Sequence, residues 1–84
     1  MMDDKTAYVI ATGRVLHDFR KSLGLSTADL AQKSGVPQSR IEQIEEGSIA
    51  AVAADLLCLA DGMDVPVERL TARIDTVIRE LMHG

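Results

Sequence analysis

Apolar residues recur along this chain at spacings of three and four, the period of helices that each bury one face. The first such segment is expected from about Thr6 to Leu23, with Val9, Gly13, Leu16, Phe19 or Arg20, and Leu23 as its stripe and Arg14, His17, Asp18 and Lys21 largely outside it. Gly13 is its weak point, since glycine costs about 1 kcal/mol against alanine inside a helix; a close neighbour would be a reason to keep it small. Gly24 stops the helix through its freedom to adopt positive φ. Ser26, followed three residues on by Asp29, has the spacing of a reciprocal capping box and starts a short helix that Gly35 and Pro37 end. A third helix is expected from Gln38 to about Glu45, with Ile41 and Ile44 on one face and Gly47 as its terminator. Helices this short do not persist alone, so they must pack on each other and on their neighbours.

A fourth helix, about Ala51 to Asp61, carries Val52, Leu56, Leu59 and Ala60 on its apolar face, widened by Leu57, and has no obvious cap. Pro66 is acceptable in the first turn of a last helix, which runs to Met82 with the stripe Val67, Leu70, Ile74, Val77, Ile78 and Leu81. Five helices, short connections and no strand candidate longer than a few residues predict a compact all-α fold. It would be a single domain over residues 1–84, with a helix-turn-helix at 26–46 and an extended C-terminal helix at about 66–82.

Composition changes this picture in two places. An 84-residue chain makes a small core, and pairing with a second copy adds buried area at the size where it helps most, so a homodimer is expected. The formal charge of −4 is unusual for a nucleic-acid binder, because neutralised phosphates supply much of the affinity. That charge is unevenly placed. Residues 14–47 balance five bases against five acids, and the surplus of acid lies mostly in the C-terminal half.

The single cysteine, Cys58, excludes an intramolecular disulfide and, between Leu57 and Leu59, reads as a small buried or half-buried hydrophobe. No basic-then-apolar leader and no bilayer-length apolar run are seen, so a soluble cytoplasmic protein with no membrane partner is expected. Phe19 reads as core, and Tyr8 as a residue that helps seat the N-terminal arm. The serines have only His17 and His83 as candidate bases, and neither is placed for catalysis. No catalytic residue, metal site or cofactor is expected.

The order Arg20-Lys21-Ser22-Leu23-Gly24-Leu25-Ser26, then Asp29-Leu30-Ala31, Gly35-Val36, Ile41, Ile44-Glu45, Gly47, Leu56-Leu57, Leu59-Ala60 and Val65 to Leu70 resembles the lambda-repressor-like helix-turn-helix proteins, the Xre family. The resemblance covers about two thirds of the chain without an insertion. It implies a five-helix lambda-repressor-like domain whose third helix enters the major groove of double-stranded DNA while the second braces against the backbone. On that basis Gln38, Ser39, Glu42 and Gln43 face base edges, and Arg14, Arg20, Thr27, Lys33 and Arg40 lie towards phosphates. Gln43 can pair with adenine, and Glu42 can accept only from a donor such as cytosine N4.

The chain departs from the family pattern in three respects. Thr27 stands where Gln is frequent, Ser48-Ile49-Ala50-Ala51 replaces a basic, proline-containing loop, and Glu42 and Glu46 add negative charge near the DNA face. Two functions from different classes follow: a sequence-specific transcriptional regulator, most simply a repressor acting as a dimer on a palindromic operator, or a protein-interaction module such as an antitoxin or accessory transcription factor with a protein partner. The stripe of Ile74, Val77, Ile78 and Leu81 continues past what a helix-turn-helix needs. It is expected either to form a dimer interface or to fold back on helix one.

Overall fold

A computed structural model of the chain describes residues 2–83. Its helices are α1 (Asp4–Ser22), α2 (Thr27–Ser34), α3 (Gln38–Glu45), α4 (Ala53–Gly62) and α5 (Val67–His83), with no strand among the described residues. Each boundary has a local cause. Asp3 accepts a hydrogen bond from the Thr6 N–H and so starts α1 two residues before the expected position. The capping box of Ser26 and Asp29 is present in both directions, and Gly35 takes the left-handed conformation at φ 79° that closes α2. At α4, the Asp55 carboxylate accepts from the Val52 N–H, the side-chain half of a capping box that Val52 cannot complete.

The core forms where these helices meet. Leu30, Val36, Ile41 and Ile44 of the helix-turn-helix are buried together with Ala11, Val15 and Leu16 of α1, Leu59 and Ala60 of α4, and Leu70, Ile74 and Val77 of α5. α5 lies along α1, and α3 is wedged against α1 and α2. Several expectations from periodicity are corrected here. Val9 is only half-buried and Leu23 is exposed; Ala7, Ala11 and Val15 take their place, because α1 turns a face of small residues towards its neighbours. Val52 and Leu57 are exposed, and so is Cys58, since Leu59, Ala60 and Met63 supply the inner side of α4. Phe19 is half-buried beneath Arg69, whose guanidinium carbon lies 5.9 Å from the ring centroid. Tyr8 donates its hydroxyl to the Ala51 carbonyl at 2.6 Å, tying α1 to the loop before α4.

The stripe of α5 folds back on α1. Ile74 and Val77 are buried within the protomer, so neither is free to form a subunit interface; Ile78 and Leu81 are half-buried against the same core.

Gly13 marks a close approach of α1 to α3. A Cβ there would stand 2.5 Å from the Ile44 carbonyl oxygen and 2.9 Å from that of Glu45, both backbone atoms at the end of α3. Replacing Gly13 with Ala raises helix propensity by about 1 kcal/mol, but the methyl must push two helices apart. The variant is expected to lose about 1–3 kcal/mol of stability in urea unfolding despite its better propensity. A Gly13→Ala chain as stable as the wild type would show that α1 and α3 are not held at this distance.

Candidate nucleic-acid interface

Burial of Ile41 and Ile44 fixes the rotation of α3 and leaves Ser39, Glu42, Gln43 and Glu46 on the opposite, exposed side. No side chain caps the helix, which begins after Pro37. Its two edges are each held by an arginine and a carboxylate. On one edge, Arg20 of α1 donates from Nε to Glu45 Oε2 at 2.7 Å and from Nη2 to Oε1 at 2.8 Å. Its remaining Nη1 donates to the Leu25 carbonyl at 2.8 Å, which fixes the turn into α2. His17 Nδ1 lies 3.1 Å from Glu45 Oε1 on the solvent side of this pair. On the other edge, Arg40 donates from Nε and Nη2 to the two oxygens of Asp55, at 3.0 and 2.8 Å.

The first pair corrects one expected phosphate contact, and the second competes with another. The Arg20 side chain is 9% exposed and its guanidinium is occupied on three sides, so it serves the fold and is not available to DNA. Arg40 is 37% exposed but is drawn along α3 towards Asp55. Arg14 and Lys33 are exposed and pair with no carboxylate among the described residues.

Thr27, expected near the backbone, instead donates its hydroxyl to Glu42 Oε2 at 2.9 Å. Gln38 donates from Nε2 to the same Oε2 at 3.1 Å and to Thr27 Oγ1 at 3.2 Å. Ser39 and Gln43 carry no side-chain partner among the described residues. The sequence offered no sign of the Asp55 and Glu45 clamps beyond the presence of the charges, because each joins helices far apart in the chain. Among the described residues no group of three His, Cys, Asp or Glu side chains stands close enough to hold a metal ion. No helix of the structure is long and apolar enough to cross a membrane.

The clamps tie stability to pH. Burial alone would raise the Glu45 carboxyl, but hydrogen bonds from Arg20 and His17 outweigh it and hold the group below its ordinary value. At Asp55 the Arg40 hydrogen bonds dominate in the same direction, against a smaller opposing effect of burial. A carboxyl depressed in the folded state adds stability that is complete above its unfolded value, about 4, and is lost as pH falls through the folded value. The urea midpoint should therefore drop on acidification below about pH 5. Glu45→Gln should lower stability at neutral pH and make this acid limb shallower. An unchanged midpoint and an unchanged limb in that variant would mean that the Arg20–Glu45 pair contributes nothing.

The sequence matches a family model described as a helix-turn-helix domain over residues 11–73. Among solved structures, the restriction-modification controller protein C.AhdI from Aeromonas hydrophila is similar at a TM-score of 0.70 and 29% identity, over 74% of this chain and 94% of that one. A point mutant of the restriction-modification controller protein C.Esp1396I is similar at a TM-score of 0.74 and 22% identity, over 92% of this chain and 94% of that one, a likeness of fold. No curated protein sequence gives a significant match.

Proposed function

This chain belongs to the helix-turn-helix domain family, in its lambda-repressor-like form, and from that premise we propose that it is a sequence-specific DNA-binding regulator of transcription, most simply a repressor that occupies an operator. The observation that carries the proposal is the rigid seating of α3. Two apolar side chains face inward, two ion pairs hold its edges, and the outward row of Ser39, Glu42 and Gln43 is polar and exposed. A helix held in this way can carry side chains into the major groove in one register. The likeness to a restriction-modification controller supports a controlling role.

In this reading Ser39 and Gln43 meet base edges, while Arg14 and Lys33 meet phosphates. Replacing Gln43 with Ala is expected to cost about 1–3 kcal/mol on duplexes selected by the wild-type protein and to leave affinity for random duplex nearly unchanged. Lys33→Ala should weaken both kinds of duplex alike and reduce the salt slope by about one. Gel-shift titrations over a salt series make the comparison. Equal losses from both substitutions on selected and random DNA would overturn this division of roles, and failure of the wild type to prefer any duplex would overturn the function.

The reading includes a homodimer on a palindromic site, which would set two copies of α3 about one turn of DNA apart. Ile78 and Leu81 are the members of the α5 stripe that keep exposed surface, and Leu57, 57% exposed on α4, is the alternative contact. Sedimentation equilibrium is expected to show a dimer for the wild type and a folded, helical monomer for Leu81→Asp. A Leu57→Asp chain that dissociates while Leu81→Asp does not would move the interface to α4. A wild type that stays monomeric at every concentration and on selected DNA would remove the dimer.

A further inference from the structure

The hydrogen bonds among Thr27, Gln38 and Glu42 use their donors in a closed arrangement. The single hydroxyl proton of Thr27 goes to Glu42 Oε2, and the Gln38 amide nitrogen gives to Thr27 Oγ1 and to Glu42 Oε2. The orientation of the Gln38 amide follows from the carboxylate, because a reversed amide would set its oxygen against Glu42 Oε2, which can only accept. Bidentate reading of adenine needs an amide donor and an amide acceptor together, and here the donor is committed. Gln38, grouped above with the base-reading residues by resemblance, is thereby occupied with holding its neighbour.

Glu42 is left with one oxygen held twice and the other, Oε1, without a partner among the described residues, on the exposed side of α3. An exposed glutamate ordinarily samples many rotamers, and ordering it costs entropy. Two donors from different helices restrict it before any ligand arrives. We infer that Glu42 is a pre-positioned acceptor that selects cytosine at one position of the operator, with Thr27 and Gln38 as the residues that position it. This rests on the DNA-binding reading above.

The choice of base follows from groove chemistry. Guanine presents O6 and N7 and thymine presents O4, all acceptors that a carboxylate repels. Adenine carries its N6 amino group and its N7 acceptor on one edge, whereas cytosine's own edge offers only the N4 amino group, the neighbouring O6 acceptor belonging to the paired guanine. A fixed carboxylate oxygen therefore rejects guanine and thymine and prefers cytosine to adenine, whose N7 sits beside the donor, and its charge disfavours contact with non-cognate DNA generally.

Selection from a random duplex library, with wild type and Glu42→Gln compared, tests the inference. The wild type is expected to enrich a site with cytosine fixed at one position in each half. Glu42→Gln should lose that preference in favour of adenine, leave the other positions unchanged, bind the cytosine duplex about tenfold or more weakly, and bind random DNA more tightly. Thr27→Val should lower the ratio of affinities for cytosine and thymine duplexes by about two- to tenfold without changing affinity for random DNA, and should have no such effect in a Glu42→Ala background. Both substituted positions are accessible, Thr27 half-buried and Glu42 exposed, and circular dichroism verifies that each variant folds. A site enriched by the wild type and preserved at every position by Glu42→Gln overturns the inference alone, as does a Thr27→Val effect of equal size without Glu42. A wild type that enriches no sequence overturns the DNA-binding reading and this inference with it.

Discussion

What α3 presents to the outside depends on how it is held, and the two ion pairs at its edges are the interaction on which that depends. Ile41 and Ile44 bury one side of α3 and so set which side faces inward, but an eight-residue helix does not persist on its own and needs its edges held as well. The Arg20–Glu45 pair fixes the edge towards α1, and the Arg40–Asp55 pair fixes the edge towards α4. Both are bidentate, the geometry in which arginine gives the most orientation for its charge. Asp55 does a second task by accepting from the Val52 N–H, so the same carboxylate starts α4 and secures α3.

This arrangement uses cations that a charge count would have assigned to a ligand. The segment from residue 14 to residue 47 is neutral in sequence. Two of its five bases are engaged with carboxylates inside the fold, and the remaining surface carries Glu42 and Glu46 beside the outward face of α3. On the proposed DNA-binding reading, affinity for a polyanion then rests on few phosphate contacts, and discrimination between sequences takes a larger share of the binding problem. The Thr27, Gln38 and Glu42 cluster fits that balance, since it spends polar groups on orientation and leaves a single acceptor outward.

The C-terminal half supports the same end from behind. α5 lies along α1 with Leu70, Ile74 and Val77 buried, and α1 meets α3 where Gly13 lets the α3 carbonyls come close. Without a side chain at that position the helices pack backbone to backbone, and the Arg20 guanidinium, seven residues further along α1, reaches Glu45 from the same side. The packing that makes the small core and the ion pair that orients α3 are thus parts of one contact.

The five helices, the capping box at Ser26 and Asp29 and the break at Gly35 to Pro37 were legible in the sequence because each follows from residues within one or two helical turns, and the periodic apolar positions Leu30, Val36, Ile41 and Ile44 marked which faces of α2 and α3 must share a core. The same pattern also fixed which side of α3 faces outward, since Ile41 and Ile44 leave only one rotation. Which charges remain for a ligand is settled by contacts between distant parts of the chain. Arg20 and Glu45 are 25 residues apart, Arg40 and Asp55 are 15 apart, and Thr27 meets Glu42 across 15 residues. Whether such residues meet depends on helix crossing distances set by Gly13 and the core, and no local pattern records them. The fate of α5 was open for the same reason. An apolar stripe looks identical whether it covers its own chain or another, and the burial of Ile74 and Val77 against α1 is a property of the folded whole.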